Sequence, residues 1–344
     1  MGAAQVATGG GWSCAARAAA HSCRRLSLRS STPRHGASRF DQEDAPALAK
    51  QSRIIVGQVA AVTGGARGIG KETARALIRE GVRVAIGDLD LATAQQTADE
   101  LGAGTIALEL NVTDRDSFER FADDVEEQLG PIDILINNAG IMQLGAYLEE
   151  DERTTRRMID INVYGVHHGS QIALERFVPR RRGHLVNIAS MAGKNGFAHG
   201  ATYCGTKHYV IGLSEGLRNE VREFGIEVSV VMPVAVHTEL GAGLGQARGV
   251  KQVEPEDVAN EIVSALKEAR FDVYVPRSMG PLTQFSSALP RRAREGMTRA
   301  MKADKVLSGA DANARKNYEL RASHSEPGLE PADEQKTLEE SSAG

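Results

Sequence analysis

The chain has 344 residues, enough to bury a sizeable core in one large or two small domains. Its net charge of -4 and pI near 6.2 give no reason to expect a nucleic-acid partner. Its three cysteines, Cys14, Cys23 and Cys204, lack metal-binding spacing and favour a reducing, cytoplasmic environment.

The first residues differ in composition from the rest of the chain. Residues 1–40 contain six arginines, many Ala, Ser and Gly residues and no acid. A mitochondrial transit peptide has this composition, but a disordered extension from an overlong gene model fits it as well. We favour the second interpretation, because no methionine occurs between Met1 and Met142. We predict a disordered or targeting-like extension over 1–53, and a mitochondrial location only if the transit peptide is genuine.

A predicted strand at 59–63 opens the ordered part of the sequence, and a glycine-rich turn and a helix follow it. A second strand at 82–86 leads to Asp88, eighteen residues after Gly70. An acid near this spacing binds the ribose hydroxyls of a dinucleotide. Glycines in the turn let the backbone approach a pyrophosphate at a helix N-terminus. These glycines are Gly64, Gly68 and Gly70.

Predicted helices and strands then alternate to the end of the domain. The helices lie at 91–101, 115–129, 154–178, 202–224 and 256–269. The strands lie at 105–110, 132–136, 184–189, 227–232 and 271–275. The alternation predicts an α/β fold with a parallel sheet flanked by helices on both faces. We expect the residues that follow the strands to meet along one rim, where ligands bind.

One stretch carries a candidate for proton chemistry. Tyr203 and Lys207 are four residues apart, so a helix places them on one face. A nearby cation favours phenolate, and we therefore expect Lys207 to lower the pKa of Tyr203 toward neutrality. Such a tyrosine exchanges a proton with a substrate oxygen. Ser190, directly after the strand at 184–189, is placed to hold that oxygen.

Together these motifs resemble the short-chain dehydrogenase/reductase family, in its compact single-domain branch, over about residues 54–280. The motifs, in chain order, are T-G-G-A-R-G-I-G at 63–70, N-N-A-G at 137–140, I-N-V-Y-G at 161–165, I-A-S-M-A-G at 188–193 and Y-C-G-T-K at 203–207. The resemblance implies a Rossmann-type, doubly wound α/β fold in a single domain over 54–280. It also implies a nicotinamide dinucleotide as cofactor and the interconversion of a secondary alcohol and a ketone or aldehyde, both small molecules.

The same resemblance assigns roles to individual residues. Tyr203 would be the acid/base, Ser190 would bind the substrate oxygen, and Lys207 would lower the tyrosine pKa and bind the nicotinamide ribose. Asn162 would hold a water that links Lys207 to solvent. The cofactor would contact Gly64, Arg67, Gly68, Ile69, Gly70, Asp88, Asn111, Val112, Asn138, Ala139, Gly140, Tyr203, Lys207, Val236 and Thr238. Two positions depart from the family pattern, Asn111 in place of Asp and Val234 in place of Gly.

The choice of dinucleotide depends on two residues with opposite effects. Asp88 would bind the 2′-hydroxyl of NAD and repel the 2′-phosphate of NADP. Arg67, in the glycine-rich turn, would favour that phosphate unless it is solvated or pairs with Asp88. We favour NAD. The alternatives are an NADPH-dependent carbonyl reductase and a dinucleotide-binding sensor or scaffold without turnover.

The remaining segments carry weaker expectations. The histidines form no i, i+4 pair and no cluster with acids, so we expect no metal site. No apolar run approaches the roughly eighteen residues of a membrane span. We interpret the glycine-rich segment 239–252 as a flexible lid and 319–344 as a disordered acidic tail. We interpret 281–318 as a helical extension whose residues 289–307 either pack on a partner subunit or touch a membrane surface, and we favour packing. The resemblance implies a homodimer or homotetramer formed through the helices at 154–178 and 202–224.

Overall fold

Seven parallel strands form one sheet in the computed structural model, which describes residues 52–324. The strands are β1 (Val59–Thr63), β2 (Arg83–Asp88), β3 (Ile106–Glu109), β4 (Ile134–Asn137), β5 (Gly183–Ile188), β6 (Ile226–Pro233) and β7 (Asp272–Val275). Their order in the sheet is β3-β2-β1-β4-β5-β6-β7. The chain therefore reverses its direction across the sheet between β1 and β4, the point at which such folds bind ligands.

Helices cover both faces of this sheet, as the sequence predicts. They are α1 (Gly68–Arg79), α2 (Leu91–Leu101), α3 (Arg115–Leu129), α4 (Glu152–Ile159), α5 (Val166–Arg180), α6 (Ala201–Val221) and α7 (Pro255–Glu268). Strand β1 is buried on both sides: Ala60 packs in one apolar cluster with α1 and α7, and Val59 in another with α3 and α5. Burial on both faces explains why the strands read as apolar runs without alternation. The predicted doubly wound α/β fold is confirmed.

The structure divides one predicted helix and extends one predicted strand. The helix predicted at 154–178 consists of α4, a π-helical segment Asp160–Gly165 and α5. A Cβ at Gly165 would lie 2.8 Å from Val112, so this turn packs too closely for any larger residue. Asn162 lies in this π-helical segment, a feature that is frequent at functional sites. Strand β2 runs two residues further than predicted, so Asp88 is its last residue.

The C-terminal part of the described chain is helical beyond its predicted limit. It contains α8 (Met279–Ala288), α9 (Arg291–Ala300), α10 (Lys305–Ser308) and α11 (Ala312–His324). The predicted start of a disordered tail at residue 319 is wrong, because α11 continues to His324. The rest of that tail, and the N-terminal extension up to residue 51, lie outside the described residues. Within 52–324 the helices are all too short or too polar to cross a membrane.

Candidate active site

A cavity of about 900 Å³ lies at the carboxyl ends of the strands. One side of it, which we call the catalytic wall, consists of the ends of β1 to β6 and the first turns of α1 and α6. The opposite side, which we call the cover, consists of residues 239–252 and 279–322. Of the predicted site residues, all but Gly70 and Asn162 line this cavity. The strand ends therefore do meet along one rim.

Tyr203 and Lys207 lie one turn apart on α6, and both side chains are buried. The Lys207 Nζ lies 5.8 Å from the centre of the Tyr203 ring and donates a hydrogen bond to the carbonyl of Ile188 at 3.0 Å. Ser190, just after β5, is hydrogen-bonded to the Tyr203 side chain. The Ser190 Oγ also accepts from the Ala192 N–H at 3.1 Å, which fixes its rotamer. The serine, the phenol and the ammonium thus line the same cavity close to one another.

The electrostatics of this group differ from the sequence prediction. Burial raises the pKa of Tyr203 to about 12, although the hydrogen bond with Ser190 opposes this rise. Burial likewise lowers the pKa of Lys207 to about 8. The expectation that Lys207 lowers the tyrosine pKa toward neutrality is therefore wrong for this structure. Desolvation dominates because apolar side chains, Met142 and Leu307 among them, pack around Tyr203.

Asn162 lies behind the cavity and is fully buried. Its Oδ1 accepts from the Ile141 N–H at 2.9 Å, and its Nδ2 donates to the Ile141 carbonyl at 2.8 Å. The same Nδ2 donates to Thr206 Oγ1 at 3.2 Å. Asn162 therefore ties the segment after the N-N-A-G motif to α6, one residue before Lys207. Its role in a water relay stays a prediction.

The glycine-rich turn forms a cradle of the shape that a pyrophosphate needs. Gly64 and Gly68 have φ values of +62° and +55°, which side chains rarely adopt. A Cβ at Gly70 would collide with the carbonyl oxygen of Gly64. Arg67, at the N-cap of α1, makes no side-chain capping bond, so the first N–H groups of this helix face the cavity without a cap from that residue. A helix N-terminus of this kind binds phosphate, so these residues fit a dinucleotide.

Thr63, which the sequence analysis did not single out, joins this cradle to the next strand. Its Oγ1 accepts from the N–H groups of Asn138 and Ala139, both at 3.0 Å. The Asn138 Nδ2 donates in return to the carbonyls of Thr63 and Gly64, both at 2.9 Å. The only signal in the sequence is a threonine at the end of a buried strand. This reciprocal set holds β1 and β4 together at the point where the sheet order reverses.

The two residues that bear on the choice of dinucleotide lie at the end of β2 and at the start of α1. The Asp88 carboxylate accepts from the N–H groups of Ala66 at 3.1 Å and Asp90 at 3.2 Å, and burial raises its pKa. Arg67 forms a salt bridge with Asp90 at 2.7 Å and a hydrogen bond with Thr93 at 2.8 Å. The Arg67 side chain therefore hydrogen-bonds these two residues and not Asp88.

The cover contributes residues that the sequence analysis missed. Arg315 on α11 is 1% exposed, and its guanidinium donates to the carbonyls of Leu240, Ala242 and Met142 at 2.8–3.0 Å. Tyr318, one turn later, lines the cavity, and its hydroxyl accepts from the Met142 N–H at 2.8 Å. In the sequence, Arg315 shows only an i, i+4 spacing to an acid. In the structure it joins three separate segments over the cavity.

The glycines of segment 239–252 serve close packing. A Cβ at Gly243, where φ is +70°, would lie 2.8 Å from the Asp311 carbonyl oxygen. A Cβ at Gly245 would lie 3.0 Å from the Lys305 carbonyl oxygen. Backbone hydrogen bonds, such as Gly245 N–H to the Val306 carbonyl at 3.0 Å, connect the same strips of chain. The predicted flexible lid is thus packed against the C-terminal helices in this structure.

Comparisons with known proteins agree with this geometry. The family described as short chain dehydrogenase matches residues 58–249. Sorbitol dehydrogenase of Cereibacter sphaeroides is 39% identical over 184 residues, which cover 53% of this chain and 72% of that protein. The probable oxidoreductase EphD of Mycobacterium tuberculosis is 34% identical over 256 residues, 68% of this chain, and the chain spans 43% of the length of EphD.

Comparison with solved structures supports the assignment of the fold. A short-chain dehydrogenase/reductase of Burkholderia phymatum, crystallised in complex with NAD, superimposes with a TM-score of 0.62. The alignment covers 67% of this chain and 93% of that one, at 24% identity. At this level of identity the likeness concerns the fold alone. The family match ends at residue 249, so α8 to α11 lie beyond it.

Proposed function

The chain belongs to the short-chain dehydrogenases, and on this premise we propose that it is an NAD-dependent oxidoreductase that interconverts a secondary alcohol and a ketone. One observation carries the proposal. Ser190, Tyr203 and Lys207 line the same cavity as the glycine cradle and Asp88. A proton-transfer group and a pyrophosphate cradle are the two parts that nicotinamide-dependent alcohol chemistry requires of the protein.

In this proposal each side chain has one task. Bound NAD accepts or donates the hydride, and the protein supplies position and a proton path. Ser190 holds the substrate oxygen beside the Tyr203 hydroxyl. The raised pKa keeps Tyr203 protonated, so it is ready to donate to a carbonyl oxygen. Alcohol oxidation requires the phenolate instead, which the Ser190 hydroxyl stabilises.

We propose NAD as the cofactor because the charges around the ribose position favour it. The Asp88 carboxylate lines the cavity at the end of β2, where it would repel a 2′-phosphate. The side chain of Arg67, the one cation in the glycine-rich turn, is bound to Asp90 and Thr93. The NADPH-dependent carbonyl reductase remains the second candidate, since Arg67 also lines the cavity.

A titration with NADH and NADPH, followed by nicotinamide fluorescence, tests the cofactor. We expect tight binding of NADH and weak binding of NADPH. The variant Asp88→Asn should reduce the difference between the dissociation constants of NADH and NADPH, because it removes the charge that repels the 2′-phosphate. Preferential binding of NADPH by the unmodified protein would favour the carbonyl reductase. Binding of neither would contradict the cofactor site and the proposal with it.

A panel of secondary alcohols and ketones, assayed at 340 nm, tests turnover. We expect oxidation of at least one alcohol or reduction of at least one ketone. Tight NADH binding without any turnover would instead favour the sensor or scaffold. The substrate panel and the cofactor titration therefore separate the two classes.

We also propose a cytoplasmic homodimer or homotetramer assembled through α5 and α6. Two large side chains are exposed in the single chain, Tyr164 and Tyr209. Tyr164 lies two residues before the start of α5, and Tyr209 lies on α6. Exposed aromatic side chains are typical of contact surfaces between proteins. Light scattering coupled to size exclusion should give a mass of two or four chains. A single-chain mass would contradict this part of the proposal.

A further inference from the structure

The cover presents an apolar surface to the cavity. The side chains that it contributes include Leu244, Met279, Leu282, Met297, Met301 and Leu307. These residues come from segment 239–252 and from α8, α9 and α10, with Met301 directly after α9. Four different parts of the chain thus turn apolar side chains toward one space. Arg294 and Thr298 line the cavity from the same helix as Met297, but the apolar side chains give the cover a large surface for an apolar ligand.

This apolar surface begins beside the catalytic tyrosine. Leu307 packs in one cluster with Tyr203 and Met142. A Cβ at Gly200, three residues before Tyr203, would lie 2.5 Å from Leu307 Cδ1. The start of α6 and the cover are therefore in direct contact. A substrate whose oxygen reaches Tyr203 has its carbon skeleton against the cover.

At its other end the apolar surface reaches the edge of the sheet that β7 forms. Met279, at the start of α8, packs with Val234 and Tyr274 beside β6 and β7. Met297 and Met301, whose unbranched thioethers adapt to irregular partners, line the same cavity. The cover therefore contributes apolar side chains from several helices, which suits an extended molecule better than a compact one.

We infer that the substrate is a long, largely apolar secondary alcohol or ketone, with its oxygen at Tyr203 and its hydrocarbon body against the cover. This inference rests on the proposed function and names the substrate class of the same site. All of the residues that carry it except Leu244 lie in α8 to α10 or directly after α9, beyond the stretch matched by the family. The polyol named for the Cereibacter relative is therefore no guide to the substrate of this chain.

A series of 2-alkanols from 2-butanol to 2-dodecanol, oxidised with saturating NAD, tests the inference. Burial of each methylene is worth about 0.8 kcal/mol, so kcat/KM should rise about threefold to fourfold per carbon until the wall is covered. Sorbitol should be a poor substrate. If short alcohols react and kcat/KM does not rise with length, the inference fails and the proposed function stands. If no alcohol reacts and no 2-ketone is reduced while NADH binds, both fail.

A pair of substitutions near the end of α9 locates the effect in the cover. Met297→Gln keeps the length of a cavity-lining side chain but makes it polar, and it should lower the ratio of kcat/KM for 2-dodecanol over 2-butanol about tenfold. Ala300→Gln introduces the same polar side chain at an exposed position that does not line the cavity, and it should leave the ratio unchanged. Thermal unfolding and NADH binding of both variants verify that they fold. Equal ratios in the two variants would overturn the inference.

Discussion

The two walls of the cavity are held together in different ways. The catalytic wall rests on a parallel sheet, with neighbouring strand ends tied by reciprocal bonds such as those between Thr63 and Asn138. The cover has no strand in the sheet and depends on one buried guanidinium, Arg315, and on close backbone contacts at Gly243 and Gly245. The proposed chemistry therefore lies on the sheet core of the fold, and the proposed contacts with the substrate body lie on a unit that we expect to open by itself.

The substitution with the largest expected effect removes one oxygen atom, the phenolic oxygen of Tyr203, from the catalytic wall. Tyr203→Phe deletes the acid/base and leaves the cover intact, so turnover should fall by about 10² to 10⁴. The dissociation constant of NADH should hardly change, since the cradle is untouched. Steady-state rates and fluorescence titration measure the two quantities. Tyr209→Phe, on the exposed side of the same helix, is the matched control and should keep its activity. Turnover within tenfold of the parent protein would contradict the role of Tyr203.

The second prediction concerns a substitution that destabilises the cover and leaves the catalytic wall unchanged. Arg315→Met removes the donors to three carbonyls, and buried groups without a partner cost about 1–3 kcal/mol each. We expect the cover to lose about 3 kcal/mol of local stability. Hydrogen exchange should accelerate in 239–252 and 312–322, while the amides of β1 stay protected. Arg321→Met is the control, because its salt bridge with Glu239 is exposed and worth less than about 1 kcal/mol. Equal acceleration in β1 would show that the two walls open together.

The third prediction concerns pH and tests the catalytic wall alone. Burial lowers the pKa of Lys207 from 10.5 to about 8. Between these values the unfolded chain binds the proton and the folded chain does not, so stability rises with pH. Relative to Lys207→Met, the parent protein should gain about 2 kcal/mol between pH 8 and pH 10. Tyr203, whose pKa is raised from 10.0, lowers stability only above pH 10.

Urea unfolding of both proteins at pH 8 and pH 10 measures this difference. If the two proteins gain the same stability over this range, another group is responsible and Lys207 is charged in the folded state.

The smallest expected effect compares two glycines within the cover. Gly243 and Gly249 both have φ near +70°, so alanine costs about 1 kcal/mol at either position. Only Gly243 also has a backbone atom within 3 Å of the added Cβ, whereas Gly249 has nothing within 4 Å. Gly243→Ala should therefore be about 1 kcal/mol less stable than Gly249→Ala, as measured by urea unfolding. Equal costs would show that the cover does not rest on this contact.

The catalytic wall was largely predictable because its signals are local. Apolar runs predict buried parallel strands, and Tyr203 and Lys207 lie one helical turn apart. The glycine spacing and Asp88 follow from a single βαβ unit. The positions therefore come from short stretches of sequence whose geometry is fixed by backbone periodicity.

The cover was predicted poorly because its contacts join distant parts of the chain. Arg315 and Tyr318 bind the backbone of Met142, 173 and 176 residues away. The glycines of 239–252 looked like a flexible lid because nothing local shows Asp311 or Lys305 beside them. The pKa of Tyr203 was predicted in the wrong direction for a related reason. A neighbouring charge is visible in the sequence, but the desolvation caused by Met142 and Leu307 is not.

The late position of Arg315 in the chain also has a consequence for biosynthesis. All seven strands leave the ribosome before α11 does. Because a domain generally folds as a unit, we expect the cavity to stay open on the side of the cover until Arg315 reaches the carbonyls of Leu240, Ala242 and Met142.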